Sequence, residues 1–130
     1  LTMPAGPAAA IQPPRRRLAV ALLGTWALAI WVGSLLPLAG PPLAQGDKLQ
    51  HLFGYGMLAW LGLRAFPGRP LAVWLGALLM GAAVEVAQSF TAWRSFDLYD
   101  IAANGLGALV GIVIWQAGTY RTRHQANIQD

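Results

Sequence analysis

Apolar residues fill four stretches of this chain, and its few charged residues lie between them or near their ends. The stretches are Leu18–Leu36, Leu49–Phe66, Leu71–Phe90 and Leu98–Gln116. A bilayer hydrocarbon core about 30 Å thick takes roughly 20 helical residues, so each stretch is a candidate membrane span. Pro37, Pro41 and Pro42 follow the first stretch, and Pro67-Gly68-Arg69-Pro70 separates the second from the third. Proline ends helices and a Pro-Gly pair makes a tight turn, so these spacers are predicted breaks. Short connections force neighbouring helices to run antiparallel. The expected fold is an all-α membrane protein, a four-transmembrane-helix antiparallel bundle. Residues 1–17 are expected to be a mobile N-terminal tail ending in a basic run, 18–117 the four-span domain, and 118–130 a basic cytoplasmic C-terminal tail.

Composition supports the membrane reading. The chain is 56% hydrophobic and only 11% charged, against about 25% charged in an average soluble domain. It holds no cysteine, which excludes disulfides, thiolate metal sites and thiol nucleophiles. The net charge of +4 raises nucleic acid as a partner. The basic residues sit at span ends, however, so a membrane surface is the expected partner and nucleic acid is not. Arg15-Arg16-Arg17 before an apolar run resembles the start of a signal peptide. The run is longer than the roughly 7–15 residues of such a segment, which points to a retained first span.

Lysine and arginine mark the cytoplasmic side of a membrane protein. Arg15, Arg16, Arg17, Arg64, Arg69, Arg121 and Arg123 fall on one face of a four-span arrangement, and only Lys48 and Arg94 on the other. Both termini are therefore expected in the cytoplasm. Trp60, Trp74 and Trp115 near one face, with Trp31 and Trp93 near the other, suit interfacial belts.

The remaining polar residues converge on the outer face. Asp47, His51 and Tyr55 repeat at i, i+4 and i+8, one face of a second helix starting near Asp47, which itself suits an N-cap. Glu85 lies within the third span, with Gln88 and Ser89 beyond it. A carboxylate at that depth must be paired, protonated or facing a wet cavity, so Glu85 is expected to point into the bundle. Asp97, Asp100 and Asn104 follow helical spacing on the fourth span, and Gly107 and Gly111 continue the same stripe. Gly-x-x-x-Gly permits close backbone approach. The fourth helix is accordingly expected to pack centrally and to carry these acids to the mouth of the bundle, where Arg94 can bridge carboxylates.

Two blocks carry a family likeness: Asp47-Lys48-x-x-His51-x-x-x-Tyr55, and Glu85 with Gln88, Arg94, Asp97, Asp100, Asn104, Gly107 and Gly111 at their spacings. Together they resemble the VanZ-like family of small bacterial membrane proteins, over roughly Leu18 to Trp115. The resemblance implies an integral protein of the bacterial cytoplasmic membrane. The family's named member is associated with low-level resistance to teicoplanin-type glycopeptides, and many relatives lie outside resistance clusters. Trp93 stands where a proline is common in relatives.

Two classes of function are open on these residues. In the first, a polar pocket at the outer membrane face binds or modifies a lipid, a lipid-linked cell-envelope intermediate or a lipoglycopeptide. Glu85, His51 and Asp100 are then the candidate catalytic groups. Asp47, Lys48, Tyr55, Gln88, Arg94, Asp97 and Asn104 would contact the substrate, and Gly107 and Gly111 serve packing. No hydrolase or phosphate-loop motif identifies a nucleophile, no two-histidine spacing supports a metal, and no cofactor is expected. In the second class the cluster fixes helix packing in a scaffold that docks another membrane protein or a second copy. Each residue also has a plain role: Asp97 as a helix cap, Glu85 with Arg94 as a structural ion pair, Tyr55 and Gln88 as interhelical hydrogen-bond donors.

Overall fold

The computed structural model describes residues 14–37 and 44–129, excepting the side chains at 14, 44–47, 123 and 126–129. It consists of four helices: α1 (Pro14–Leu35), α2 (Ala44–Ala65), α3 (Pro70–Ser89) and α4 (Leu98–Gln129). Proline opens α1 and α3, where its missing N–H costs nothing and its fixed φ suits the first turn. The α2–α3 turn passes through Gly68 at φ +78°, a conformation only glycine adopts without steric cost.

Contacts between helix ends fix the directions. Arg16 near the start of α1 donates to the Ala65 carbonyl at the end of α2. Gln88 at the end of α3 reaches the Ser34 carbonyl at the end of α1, and the starts of α2 and α4 meet through Lys48 and Asp100. Successive helices therefore alternate in direction.

Three helices are long and apolar enough to cross a membrane, at Arg15–Leu35, Pro70–Ser89 and Leu98–Thr122. Their outward faces expose Leu18, Leu28, Val32, Leu71, Leu79, Leu106, Val113 and Ile114. In water such faces would drive association; in lipid they are the matching surface. The protein is a membrane protein.

α2 is not among those three. It was expected as a span of equal standing, and the residues that dilute it are Asp47, Lys48, Gln50 and His51 in its first half. The packing compensates. α2, like α3, touches the other three helices, whereas no contact joins α1 to α4 among the described residues. It also supplies Tyr55, Leu58, Ala59 and Leu63 to the core, joined by Ala77, Ala108 and Ile112. The centre thus belongs to α2, not to α4 as its glycine stripe suggested. A helix carrying polar groups is the one most in need of protein on every side.

Helix bounds also differ from the apolar pattern. α1 takes in Arg15-Arg16-Arg17, assigned above to the tail, and α2 begins three residues before Asp47. Asp47 is therefore inside the first turn and not at the cap, and its side chain lies outside the described residues. α4 continues through the expected C-terminal tail to Gln129. Hydropathy marks where a span leaves the lipid, but a helix ends only where a breaker stops it, and no proline follows Gly118.

Candidate polar site

The site is assembled by the α2–α4 contact. Gly107 and Gly111 of α4 lie so close to α2 that a Cβ on either would collide with the backbone, at Leu52 for Gly107 and at Gly56 for Gly111. Gly56 faces the Gly107 carbonyl in turn, where a Cβ would stand at 3.1 Å. This fit sets the register of the two helices. One turn nearer the helix starts it brings His51 opposite Asn104, and another turn on it brings Lys48 opposite Asp97 and Asp100.

His51, only 7% exposed, donates from Nδ1 to Asn104 Oδ1 at 2.8 Å. On the other edge of the ring, Arg94 Nη2 approaches Nε2 at 3.4 Å. The same Arg94 nitrogen lies 3.5 Å from Asp100 Oδ2, and His51 Nε2 lies 3.6 Å from that oxygen. The His51 and Tyr55 rings are nearly parallel, with centroids 6.5 Å apart. Lys48 Nζ closes the outer side, 3.2 Å from Asp97 Oδ2 and 3.4 Å from Asp100 Oδ1. It also stands over the Tyr99 ring.

Glu85 points inward and is 1% exposed. Its Oε1 accepts the Asp97 backbone N–H at 2.6 Å, so it fastens α3 to the chain just before α4. A Glu85–Arg94 ion pair was one expectation; the bond the structure gives Glu85 is to backbone. Asp97 itself caps α4, its Oδ1 accepting the Tyr99 N–H at 2.8 Å. This backbone hydrogen bond, with Lys48 alongside, holds the Asp97 carboxyl below the usual carboxylate range. Lys48 is held above the ordinary lysine value, chiefly by its hydrogen bond to Asp97. Gln88 donates to the Ser34 carbonyl at 2.9 Å and so ties α3 to α1.

Among the described residues, four buried polar atoms here have no partner: Tyr55 Oη, Glu85 Oε2, Gln88 Oε1 and Asn104 Nδ2. Each such atom costs about 1–3 kcal/mol when nothing satisfies it. Above them the mouth is accessible, with 44% of the Lys48 side chain and 24% of that of Arg94 exposed. Beside it an apolar groove of about 470 Å³ runs between α3 and α4, from Leu98 and Ile101 past Trp74 and Leu78 to Leu109.

A profile of the VanZ/LLP1 family matches residues 13–119. The chain belongs to that family. It is also similar to a Schizosaccharomyces pombe (strain 972 / ATCC 24843) protein named "Uncharacterized protein C11E3.10", with 30% identity over 78 residues. That match covers 56% of this chain and 48% of the relative, so the chain spans about half the length of the curated relative it matches. No solved structure matches it.

Within this VanZ/LLP1 fold, Lys48, His51, Glu85, Arg94, Asp97, Asp100 and Asn104 form one cluster, with Tyr55 beneath His51 and Gln88 turned toward α1. Several residues that shape the site were not singled out in the sequence. Gly81 lies one turn before Glu85 on the same face of α3, and a Cβ there would sit 2.6 Å from Asn104 Nδ2. The i, i+4 spacing to Glu85 was the available signal. Trp26 and Trp74 pin α1 and α3 by donating to the carbonyls of Gly54 at 2.9 Å and Gly105 at 3.0 Å. Trp74, expected in an interfacial belt, thus turns its indole N–H inward.

Proposed function

We propose that this protein spans the membrane four times and binds the polar head of an amphiphile at the end where Lys48, Arg94 and Asp97 surround Glu85, His51 and Asp100. The guest is a lipid, a lipid-linked cell-envelope intermediate or a lipoglycopeptide. The observation that carries this reading is the unpartnered oxygen of Glu85, buried with the unpartnered Tyr55 Oη and Asn104 Nδ2 beneath an accessible mouth. A network built only for packing closes its hydrogen bonds, whereas this one keeps donors and acceptors for a polar guest. Arg94 and Lys48 suit phosphate, Glu85 and the aspartates suit amines or hydroxyls, and the α3–α4 groove suits an acyl chain. Glycopeptide resistance is one outcome of such binding. A bacterial cytoplasmic membrane is proposed from the family resemblance alone. The arginine-rich end, with both termini, is proposed to face the cytoplasm.

The Glu85→Gln variant tests the reading, because glutamine keeps the acceptor for the Asp97 N–H and alters only the unpartnered oxygen. Protein extracted in mild detergent is analysed by native mass spectrometry for retained amphiphile, alongside its melting temperature. Loss of a bound species at near wild-type stability supports the site; a Glu85→Gln protein retaining the full complement refutes it. A second reading rests on the ties joining α2 to α4 through Lys48, His51, Asp100 and Asn104, which suit a scaffold. It gains if Glu85→Ala, Arg94→Ala and Asp100→Ala each remove the protein from the membrane while no variant changes the bound lipid.

A further inference from the structure

Among the described residues, the opposite end of the molecule carries charge of a single sign. The start of α1, the α2–α3 turn and the end of the α4 span bring Arg15, Arg16, Arg17, Arg64, Arg69 and Arg121 to one end. The Arg16 bond to the Ala65 carbonyl at 3.1 Å joins α1 to α2 there. Trp60 and Trp115, in edge contact at 5.8 Å, join α2 to α4. Every acid with a described side chain, Glu85, Asp97 and Asp100, lies at the other end. None of these six arginines forms an ion pair among the described residues, and Arg15, Arg17, Arg64, Arg69 and Arg121 are exposed.

Two of them are pre-positioned. Arg16 stands 5.8 Å above the Phe66 ring, and Arg64 stands 4.9 Å above the Trp60 ring. A guanidinium held over an aromatic ring is restrained in position; Arg16 spends its Nε–H on the Ala65 carbonyl, and its terminal N–H groups and those of Arg64 suit donation to a phosphate. The surroundings are apolar: Leu18, Phe66 and Leu71 are exposed beside the arginines. A free anion would gain nothing from that surface, but a phosphate carrying acyl chains would bury it.

We infer that this arginine collar is a binding site for anionic phospholipids, distinct from the polar site at the other end. Its ligand chemistry is a phosphate on an acyl-bearing lipid. The inference stands whether or not the other end binds an amphiphile.

The test uses the full chain, delipidated in an uncharged detergent and titrated with phosphatidylglycerol or phosphatidylcholine, with bound lipid counted by native mass spectrometry. Two double variants, Arg15→Gln/Arg17→Gln and Arg64→Gln/Arg69→Gln, remove charge from different elements at exposed positions, and helical circular dichroism confirms their fold. Wild type is expected to prefer phosphatidylglycerol, and each arginine removed should weaken that preference about fivefold. Equal retention of the two lipids by wild type overturns the site, as does a preference unchanged in both folded variants. Displacement of phosphatidylglycerol by millimolar inorganic phosphate would assign the collar to free phosphate and overturn the lipid reading.

Discussion

Gly81→Ala probes the coupling between helix packing and the polar site. A Cβ at residue 81 would stand 2.6 Å from Asn104 Nδ2, 3.0 Å from its Cβ and 3.1 Å from its Cγ. Ordinary contact begins near 3.4 Å, so Asn104 must retreat by about 0.8 Å. It has nowhere to go. Asn104 is fully buried, and its other amide atom holds His51 at 2.8 Å. The added methyl should therefore cost about 1–3 kcal/mol of overpacking and about 1 kcal/mol for the weakened hydrogen bond. Asn104→Ala alone removes the His51 Nδ1–Asn104 hydrogen bond, a loss of about 0.5–1.5 kcal/mol. In the double variant the 2.6 Å and 3.1 Å contacts with Nδ2 and Cγ are gone and only the 3.0 Å contact with Cβ stays, so the two losses should fall short of their sum by at least about 1 kcal/mol. Denaturant or thermal unfolding of the four proteins in one detergent measures this cycle. Losses that add to within about 0.5 kcal/mol would show that Gly81 and Asn104 do not meet as described.

Two further predictions follow from the same geometry. Gly107→Ala sets a methyl against the Leu52 backbone, while Gly118 has nothing within 4 Å; the first should destabilise by more than about 2 kcal/mol and Gly118→Ala should stabilise by up to about 1 kcal/mol. Equal effects in unfolding would remove the α2–α4 register from the account. The Lys48–Asp97 pair makes stability depend on pH at both extremes. Asp97, held below the ordinary carboxylate range, contributes stability above its unfolded pKa that is lost as pH falls through the folded value. Lys48, held above the ordinary value, contributes stability that is full below its unfolded pKa and lost as pH rises through the folded one. Melting temperature should be flat for this pair from about pH 5 to 9. Lys48→Met should abolish its alkaline loss while only reducing the acid loss, since Asp97 still caps Tyr99; an unchanged alkaline limb would refute the pairing.

Much of this was legible along the chain because helical periodicity and span length are local properties. The spacing of Asp97, Asp100, Asn104, Gly107 and Gly111 placed them on one face, and the structure has that face turned to α2. The depth of Glu85 within an apolar run required it to turn inward, and it does. What could not be read is which partner each group takes. Glu85 spends one oxygen on the Asp97 N–H, a backbone donor that exists only because the loop brings Asp97 beneath it. The central place of α2 was hidden for the same reason: a glycine stripe shows that a helix is approached closely, but not by how many neighbours. Helix ends were missed where the apolar pattern and the backbone obey different rules, as at the α4 extension to Gln129.

The position of α2 links the fold to the proposed function. An isolated helix carrying Lys48, Gln50 and His51 would be poorly suited to lipid, because buried polar groups need protein partners or water. Surrounded by three neighbours, α2 instead puts those groups where a partner exists for most of them: Asp97 and Asp100 for Lys48, and Asn104 and Arg94 for His51. The glycine contact that permits this is costly to modify, since a methyl at Gly107 or Gly111 meets backbone and not a movable side chain. The register is therefore rigid where the polar groups need to be precise. The oxygen of Glu85 is left over from that arrangement on the α3 side, opposite the fixed α2–α4 pair. A site whose walls are held by backbone contact and whose unpaired atoms face inward is organised before any guest arrives. The energy of satisfying those atoms is then available to binding and is not spent on rearranging the helices.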